Sequence, residues 1–412
     1  MTAPRRALKS QTLEELQAEL QSWNEPAYRA SQITDWLYPR RATAWEQMSN
    51  LPVRLRERLA QHYALTTLEE VTRVDATDAT RKFLWRLPDR AMVESVLIPA
   101  NPALYGEASD RHTLCVSTQV GCAYGCRFCA SGLDGWKRNL GPDEIVDQVL
   151  AVERWHAAPS NSPKPADAAE SNATTTEPPD ADASAVADGP PDPARKPAGG
   201  RLVDNLVIMG MGEPLANYDN LLRALRTLNA PWGGGIGARK ITISTSGLCP
   251  QIRRLATEPH QFRLAISLHG ATDEVRNRLM PVNRKYPLRE LINACESYQS
   301  RKGRMITFEY ILIAGVNDGL DQVPPLAELA RRVHARVNLI PYNRVEGLAW
   351  ERPPEDRQEA FLAALEARGT TATLRREKGH DIAAACGQLR LRTERSEREG
   401  NPAAAPDTEA AV

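Results

Sequence analysis

Cys122, Cys126 and Cys129 set three thiols within eight residues, spaced C-x3-C-x2-C, on a loop that also carries Gly125. Cysteine thiolates hold iron–sulfur clusters, and three of them can bind a four-iron cluster while leaving one iron open to a substrate. A structural zinc site is the competing reading. Zinc usually takes four closed ligands in paired spacings, and no second cysteine pair or nearby histidine pair accompanies this loop. The preceding run, residues 113–120, is apolar and strand-like, which puts the loop at the carboxyl end of a strand, where α/β barrels keep their active sites.

Other residues could do chemistry but read ambiguously on their own. The stretch Gly210-Met-Gly-Glu-Pro214 suits close backbone approach to a ligand, and equally a tight turn. Ser244, Ser267, His269 and Asn343 sit at expected strand ends and offer hydroxyl, imidazole and amide groups, although a lone histidine is more often structural. Cys115 reads as a small buried hydrophobe, Cys386 as a loop thiol, and Cys249 and Cys295 match no motif. Glu94 is the one carboxylate inside the apolar run 91–98; burial would raise its pKa and suit it to proton transfer, while an exposed strand face explains it more simply.

The cysteine loop resembles the signature of the radical S-adenosylmethionine (SAM) enzymes. Taken with Gly210–Pro214, Ser244-Thr-Ser-Gly247, Met280-Pro-Val-Asn-Arg-Lys-Tyr-Pro-Leu288 and Gly379-His-Asp-Ile-Ala-Ala-Ala-Cys-Gly-Gln-Leu389, the chain resembles the RlmN-type RNA adenine C2 methyltransferases. The similarity runs from about residue 10 to residue 390, and the terminal Ala-Cys-Gly-Gln-Leu narrows it beyond the superfamily.

The resemblance implies a set of roles. Cys122, Cys126 and Cys129 hold one [4Fe-4S] cluster, and two molecules of SAM are used per turnover. Gly212 and Glu213 hold the amino and carboxylate end of SAM, Ser244, Ser267, Leu268 and His269 add contacts, and Asn343 meets the adenine. Adenine C2 is electron-poor and does not attack the methyl group of SAM. Cys386 therefore accepts the methyl first, a carbon radical formed on it adds to C2, Glu94 accepts the displaced proton, and Cys115 releases the RNA by forming a transient disulfide with Cys386. The implied substrates are an adenosine of 23S rRNA at the peptidyl-transferase centre and the adenosine beside the tRNA anticodon. An external, flavodoxin-like electron donor and a thiol reductant would serve a monomer. Ala383 departs from the acidic residue common before the terminal cysteine. A Cfr-type enzyme methylating adenosine C8 shares nearly all these motifs, and a non-catalytic RNA-binding protein with a structural cluster is the alternative of another class.

Composition bounds the setting. The 412 residues contain seven cysteines, three of them on one loop, unlike a secreted disulfide framework. No apolar run of about eighteen residues occurs and the N-terminus lacks an apolar signal core, so a cytoplasmic protein off the membrane is expected. The net charge of zero is uneven: residues 157–199 carry seven acids against three bases, a balance of −4, and residues 391–412 carry −2, leaving +6 elsewhere. A basic body suits a polyanionic partner such as RNA.

Residues 1–64 read as a helical domain, an RNA-binding accessory domain by resemblance, in which Arg29, Arg40, Arg41, Arg54, Arg56 and Arg58 either meet phosphates or face water. Residues 65–110 read as a small β-rich lead-in sheet. From 111 to 390 strands alternate with helices, which predicts a parallel sheet of about six β/α units, and the resemblance supplies the shape, a partial (β/α)6 barrel. The insertion 157–199 and the tail 391–412 carry almost no large apolar side chains and are expected to be disordered.

Overall fold

A single ten-stranded sheet organises the computed structural model, which describes residues 5–100, 111–158, 201–375 and 387–400. In chain order its strands are β1 (Glu69–Asp75), β2 (Arg81–Arg86), β3 (Met92–Pro99), β4 (His112–Cys115), β5 (Val203–Ile208), β6 (Ile241–Thr245), β7 (Arg263–Ser267), β8 (Thr307–Leu312), β9 (Arg336–Pro341) and β10 (Ala372–Leu374). Each strand pairs with the next in sequence. Pairing is antiparallel from β1 to β4 and parallel from β4 to β10. Parallel strands need a crossover, and helices supply it. Runs such as Leu264, Ala265 and Ile266 on β7 are buried without alternation, as expected for strands covered on both faces.

After β4 comes α4 (Pro142–Ala157), and α5 (Tyr218–Asn229), α6 (Cys249–Thr257), α7 (Asp273–Leu279), α8 (Leu288–Lys302), α9 (Val323–Arg332) and α10 (Glu355–Glu366) follow the later strands. The α/β partial-barrel expectation holds. The parallel part runs one short strand, β10, beyond the six units read from sequence.

The N-terminal helices are α1 (Leu13–Ser22), α2 (Tyr28–Leu37) and α3 (Val53–His62). Thr12 and Glu15 form a capping box that starts α1, and Leu16, Leu20, Ile33, Leu37, Leu55 and Leu59 are buried. This region is fastened to α4. Lys9 pairs with Asp147 at 2.5 Å with both side chains buried, and Arg41 reaches Glu153 at 2.9 Å. Of the other arginines noted above, Arg29, Arg40 and Arg58 lie over the rings of Tyr28, Trp36 and Trp23.

Three expectations are corrected. The run 113–120 is not one strand: His112–Cys115 joins the sheet, while Gln119–Gly121 pairs with Trp136–Asn139 in a separate antiparallel ribbon. Ser117 and Thr118 break it, because Ser117 N donates to Gln148 Oε1 (2.9 Å) and Thr118 N to Met211 O (2.9 Å) instead of to a neighbouring strand. The lead-in is not a separate sheet, since β3 pairs with β4, Val96 opposite Cys115. The tail does not lose order at 391, for α11 (Gln388–Gly400) covers its first ten residues; 401–412 lie outside the described residues. Arg390 and Leu391 are buried, and Glu397 meets Arg86 at 2.9 Å. The insertion lies outside the described residues, apart from its first two.

Candidate active site

The cluster loop is gripped at both ends. Cys122 N donates to Gly135 O across the ribbon (3.0 Å), Arg127 N to Leu279 O (3.0 Å), and Trp350 Nε1 to Arg127 O (2.8 Å). Gly121, with φ +74°, closes on the ribbon: a Cβ there would lie 1.9 Å from Gly135 O. The three thiols face one cavity of about 370 Å³, a size that holds a small-molecule ligand. Burial pushes the Cys122 thiol up to about 12 and Cys126 well above its ordinary value, so cluster assembly must displace protons from them. Among the described residues no three His, Cys, Asp or Glu side chains close around a single metal ion. A cluster that gives each thiolate its own iron does not require that.

The same cavity is lined by Cys115, Gly212, Glu213, Ser244, Ser267, His269 and Asn343, so ten of the thirteen residues singled out in the sequence converge. Gly212 (φ +100°) packs against Gln119, whose Oε1 accepts Glu213 N at 2.8 Å. The Glu213 carboxylate is buried and bridges two loops, accepting from Leu215 N (3.0 Å), Thr245 Oγ1 (2.7 Å) and Ser246 N (2.7 Å). Two carboxylate oxygens offer about four acceptor sites, so one is left for a ligand cation. Desolvation holds this carboxyl above its ordinary pKa, which a neighbouring ammonium would reverse. Ser244 Oγ and Ser267 Oγ stand 3.5 Å apart. His269 has φ +54° and accepts Ile311 N at Nδ1 (3.0 Å), which leaves its proton on Nε2. Burial lowers its pKa to about 3, so the ring stays neutral.

Three residues behave otherwise. Leu268 is buried outside the cavity lining, its carbonyl accepting Arg276 Nε (3.1 Å) and Gly270 N (2.8 Å). Cys386, like Ala383, lies outside the described residues. Glu94 is neither exposed nor in the cavity lining: it is 1 % exposed, and its carboxylate meets Lys82 Nζ at 3.0 Å and accepts Gly387 N (2.8 Å) and Arg390 N (2.7 Å). It therefore holds the residue that follows Cys386. Cys249 and Cys295, which match no motif, are core residues.

The N-terminal residues 7–65 match the ribosomal RNA large subunit methyltransferase N-terminal domain family, and residues 200–329 match the radical SAM superfamily. A probable dual-specificity RNA methyltransferase RlmN 3 of Opitutus terrae is 50% identical over 388 residues, 94% of this chain and 95% of that protein. A probable dual-specificity RNA methyltransferase RlmN of Akkermansia muciniphila is 46% identical, covering 94% and 96%. The chain belongs to the RlmN family of radical SAM RNA methyltransferases. A solved radical SAM methyltransferase from Sphaerobacter thermophilus, 41% identical, superposes with a TM-score of 0.78 over 93% of this chain and 98% of that one.

For a member of the RlmN family, the donor set suits the cofactors the family implies: three clustered thiols, and beside them a glycine-backed carboxylate with an acceptor site to spare. The sequence reading missed the residue that ties this wall together. Arg276, fully buried, donates to Leu268 O, to Asn283 Oδ1 (2.7 Å) and to Ser246 O (2.5 Å), so one guanidinium ties two strand ends to the turn that follows α7. Asn283 lies in the Met280–Leu288 motif, which carried the family resemblance without a stated role. Lys82 and Glu309, both buried, also went unremarked.

Proposed function

We propose that this protein methylates C2 of an adenosine in 23S rRNA at the peptidyl-transferase centre, and of the adenosine beside the tRNA anticodon. The observation that carries the reading is the convergence of Cys122, Cys126, Cys129 and Cys115 with a row of polar strand-end groups on one cavity. The Cys386 thiolate takes a methyl group from SAM by displacement at the methyl carbon, with S-adenosylhomocysteine leaving. Cys122, Cys126 and Cys129 would hold a [4Fe-4S] cluster, which would supply the electron for reductive cleavage of a second SAM and so the radical chemistry that activates the methylated Cys386 side chain. Cys386 is then the residue joined to adenine C2. Cys115 attacks its sulfur to release the RNA, and a thiol reductant reopens the disulfide. Glu94 is the carboxylate assigned to the C2 proton, and it already touches the main chain beside Cys386. His269, neutral and donating from Nε2, serves as a hydrogen-bond donor to SAM, not as a base. A target adenosine in a single-stranded loop leaves its stack for a few kcal/mol or less.

Mass spectrometry of rRNA and tRNA from cells with and without this protein tests the proposal. 2-Methyladenosine lost with the gene is expected. Methyl found only at C8 would make the enzyme Cfr-type, and no methyl change in either RNA would overturn the reading. Cys386→Ala is expected to abolish methylation, and Cys115→Ala to accumulate RNA-linked protein.

A further inference from the structure

Glu309 sits in the middle of β8 with Ser267 of β7 in register on one side and Asn338 of β9 on the other. It lines the cavity while only 5 % exposed. Its carbonyl accepts Leu268 N (3.0 Å) and His269 N (3.3 Å), so the residue cannot swing away from the wall. One carboxylate oxygen accepts Asn338 Nδ2 at 3.3 Å; the other, Oε2, is buried with no hydrogen-bond partner. A buried acceptor left unmade costs free energy, so this oxygen calls for a donor that the described residues do not supply. Burial lifts the Glu309 pKa against the opposing pull of the Arg375 guanidinium and the Asn338 amide, which marks an acceptor short of donors.

The proposed function, on which this step rests, supplies the missing donor. The family resemblance that underlies it implies the ammonium end of SAM at Glu213, beyond β5, and the adenine at Asn343, beyond β9. Glu309 belongs to β8, between those strands, beside Ser267. The part of SAM between its amino acid and its base is the ribose, whose two vicinal hydroxyls are donors. Carboxylates recognise nucleoside ribose in this way in dinucleotide-binding folds. An internal RNA nucleotide has its 3′ oxygen esterified and offers one hydroxyl only. We infer that Glu309 binds the ribose hydroxyls of the SAM nucleoside, as a cofactor-specificity residue that the sequence motifs do not include.

Binding of S-adenosylhomocysteine, which cannot be turned over, tests this with the cluster-loaded full chain by equilibrium dialysis. Glu309→Gln is expected to lower its affinity about tenfold to a hundredfold, the loss of hydrogen bonds to a charged acceptor. The 2′-deoxy and 3′-deoxy analogues should lose a similar factor on the wild type and little more on the variant. Glu309→Asp, which keeps the charge, should show an intermediate loss with the same dependence on the hydroxyls; iron content and circular dichroism matched to wild type establish that the variants fold. Unchanged affinity in Glu309→Gln, or an equal loss for the parent ligand and its deoxy analogues, overturns the inference while leaving the proposed function standing. So does weakened binding of a target-loop RNA oligonucleotide with unchanged S-adenosylhomocysteine affinity. A wild-type protein with no affinity for S-adenosylhomocysteine overturns both.

Discussion

Replacing Glu94 by glutamine removes a charge that three donors share. In the native protein the carboxylate meets Lys82 Nζ at 3.0 Å, Gly387 N at 2.8 Å and Arg390 N at 2.7 Å, with both charged side chains at most 1 % exposed. A glutamine carbonyl can keep one main-chain N–H, while its NH2 group turns donors towards the other. Each hydrogen bond to a charged acceptor contributes about 1.5–3 kcal/mol, so docking of the first turn of α11 weakens by roughly one such bond, about tenfold to a hundredfold in its local equilibrium. Taking the carboxylate from buried Lys82 adds a global cost of ~3–5 kcal/mol. The double variant Glu94→Gln/Lys82→Met separates the two, because it recovers global stability and leaves α11 loose. Hydrogen exchange at Gly387 and Arg390 measures the docking, chemical denaturation the stability, and peptide mass spectrometry the methyl group on Cys386. Faster exchange at 387–390 with slower Cys386 methylation is expected. Native protection at those two amides in Glu94→Gln would refute the anchoring; with it, full Cys386 methylation and accumulated RNA adduct would leave Glu94 as a proton acceptor alone.

Gly121→Ala drives a Cβ to 1.9 Å from Gly135 O at a φ of +74°, so it should cost at least about 2 kcal/mol and open the ribbon under the cluster loop; thermal melting and iron per chain after reconstitution check this. Arg276→Lys keeps the charge but cannot span Leu268 O, Asn283 Oδ1 and Ser246 O at once; a loss of about 2–4 kcal/mol with weaker S-adenosylhomocysteine binding is expected from denaturation and dialysis. His269 has its folded pKa depressed to about 3 against an ordinary 6.5, so the unfolded chain binds the proton first and stability falls as pH drops below 6.5. At pH 5 the loss is up to about 2 kcal/mol, from 1.36 kcal/mol per unit, and His269→Gln should flatten that slope in denaturation series at pH 7 and pH 5.

The barrel was legible because strand and helix periodicities alternate cleanly from 111 to 390, with short apolar runs at Val203–Ile208, Ile241–Thr245 and Arg263–Ser267 separated by helical stretches. Residues whose work is done by main chain or by distant partners were not legible. Arg276 looks like any surface arginine in Asp-Glu-Val-Arg-Asn-Arg-Leu, and only the loop closure beyond β7 buries it. Glu94 reads as an exposed strand residue until a helix nearly 300 positions later covers it. The polar pair Ser117-Thr118 lay inside an apolar run, and nothing local revealed that Gln148 and Met211 would take its hydrogen bonds.

Strand β3 bears on the proposal that two cysteines 271 residues apart serve one reaction. Side chains two positions apart on a strand share a face, and Glu94, Val96 and Ile98 are such a series. Ile98 and Val96 line the cavity, and Val96 is the residue opposite Cys115. Glu94, one step further and about 7 Å along, is the residue to which Gly387 is hydrogen-bonded. Gly387, the described residue that follows Cys386 in the chain, is thereby fixed near the strand neighbour of Cys115. A thiol exchange needs Cα atoms within about 7 Å, which makes the anchor at Glu94 a geometric condition for the release step proposed for Cys115.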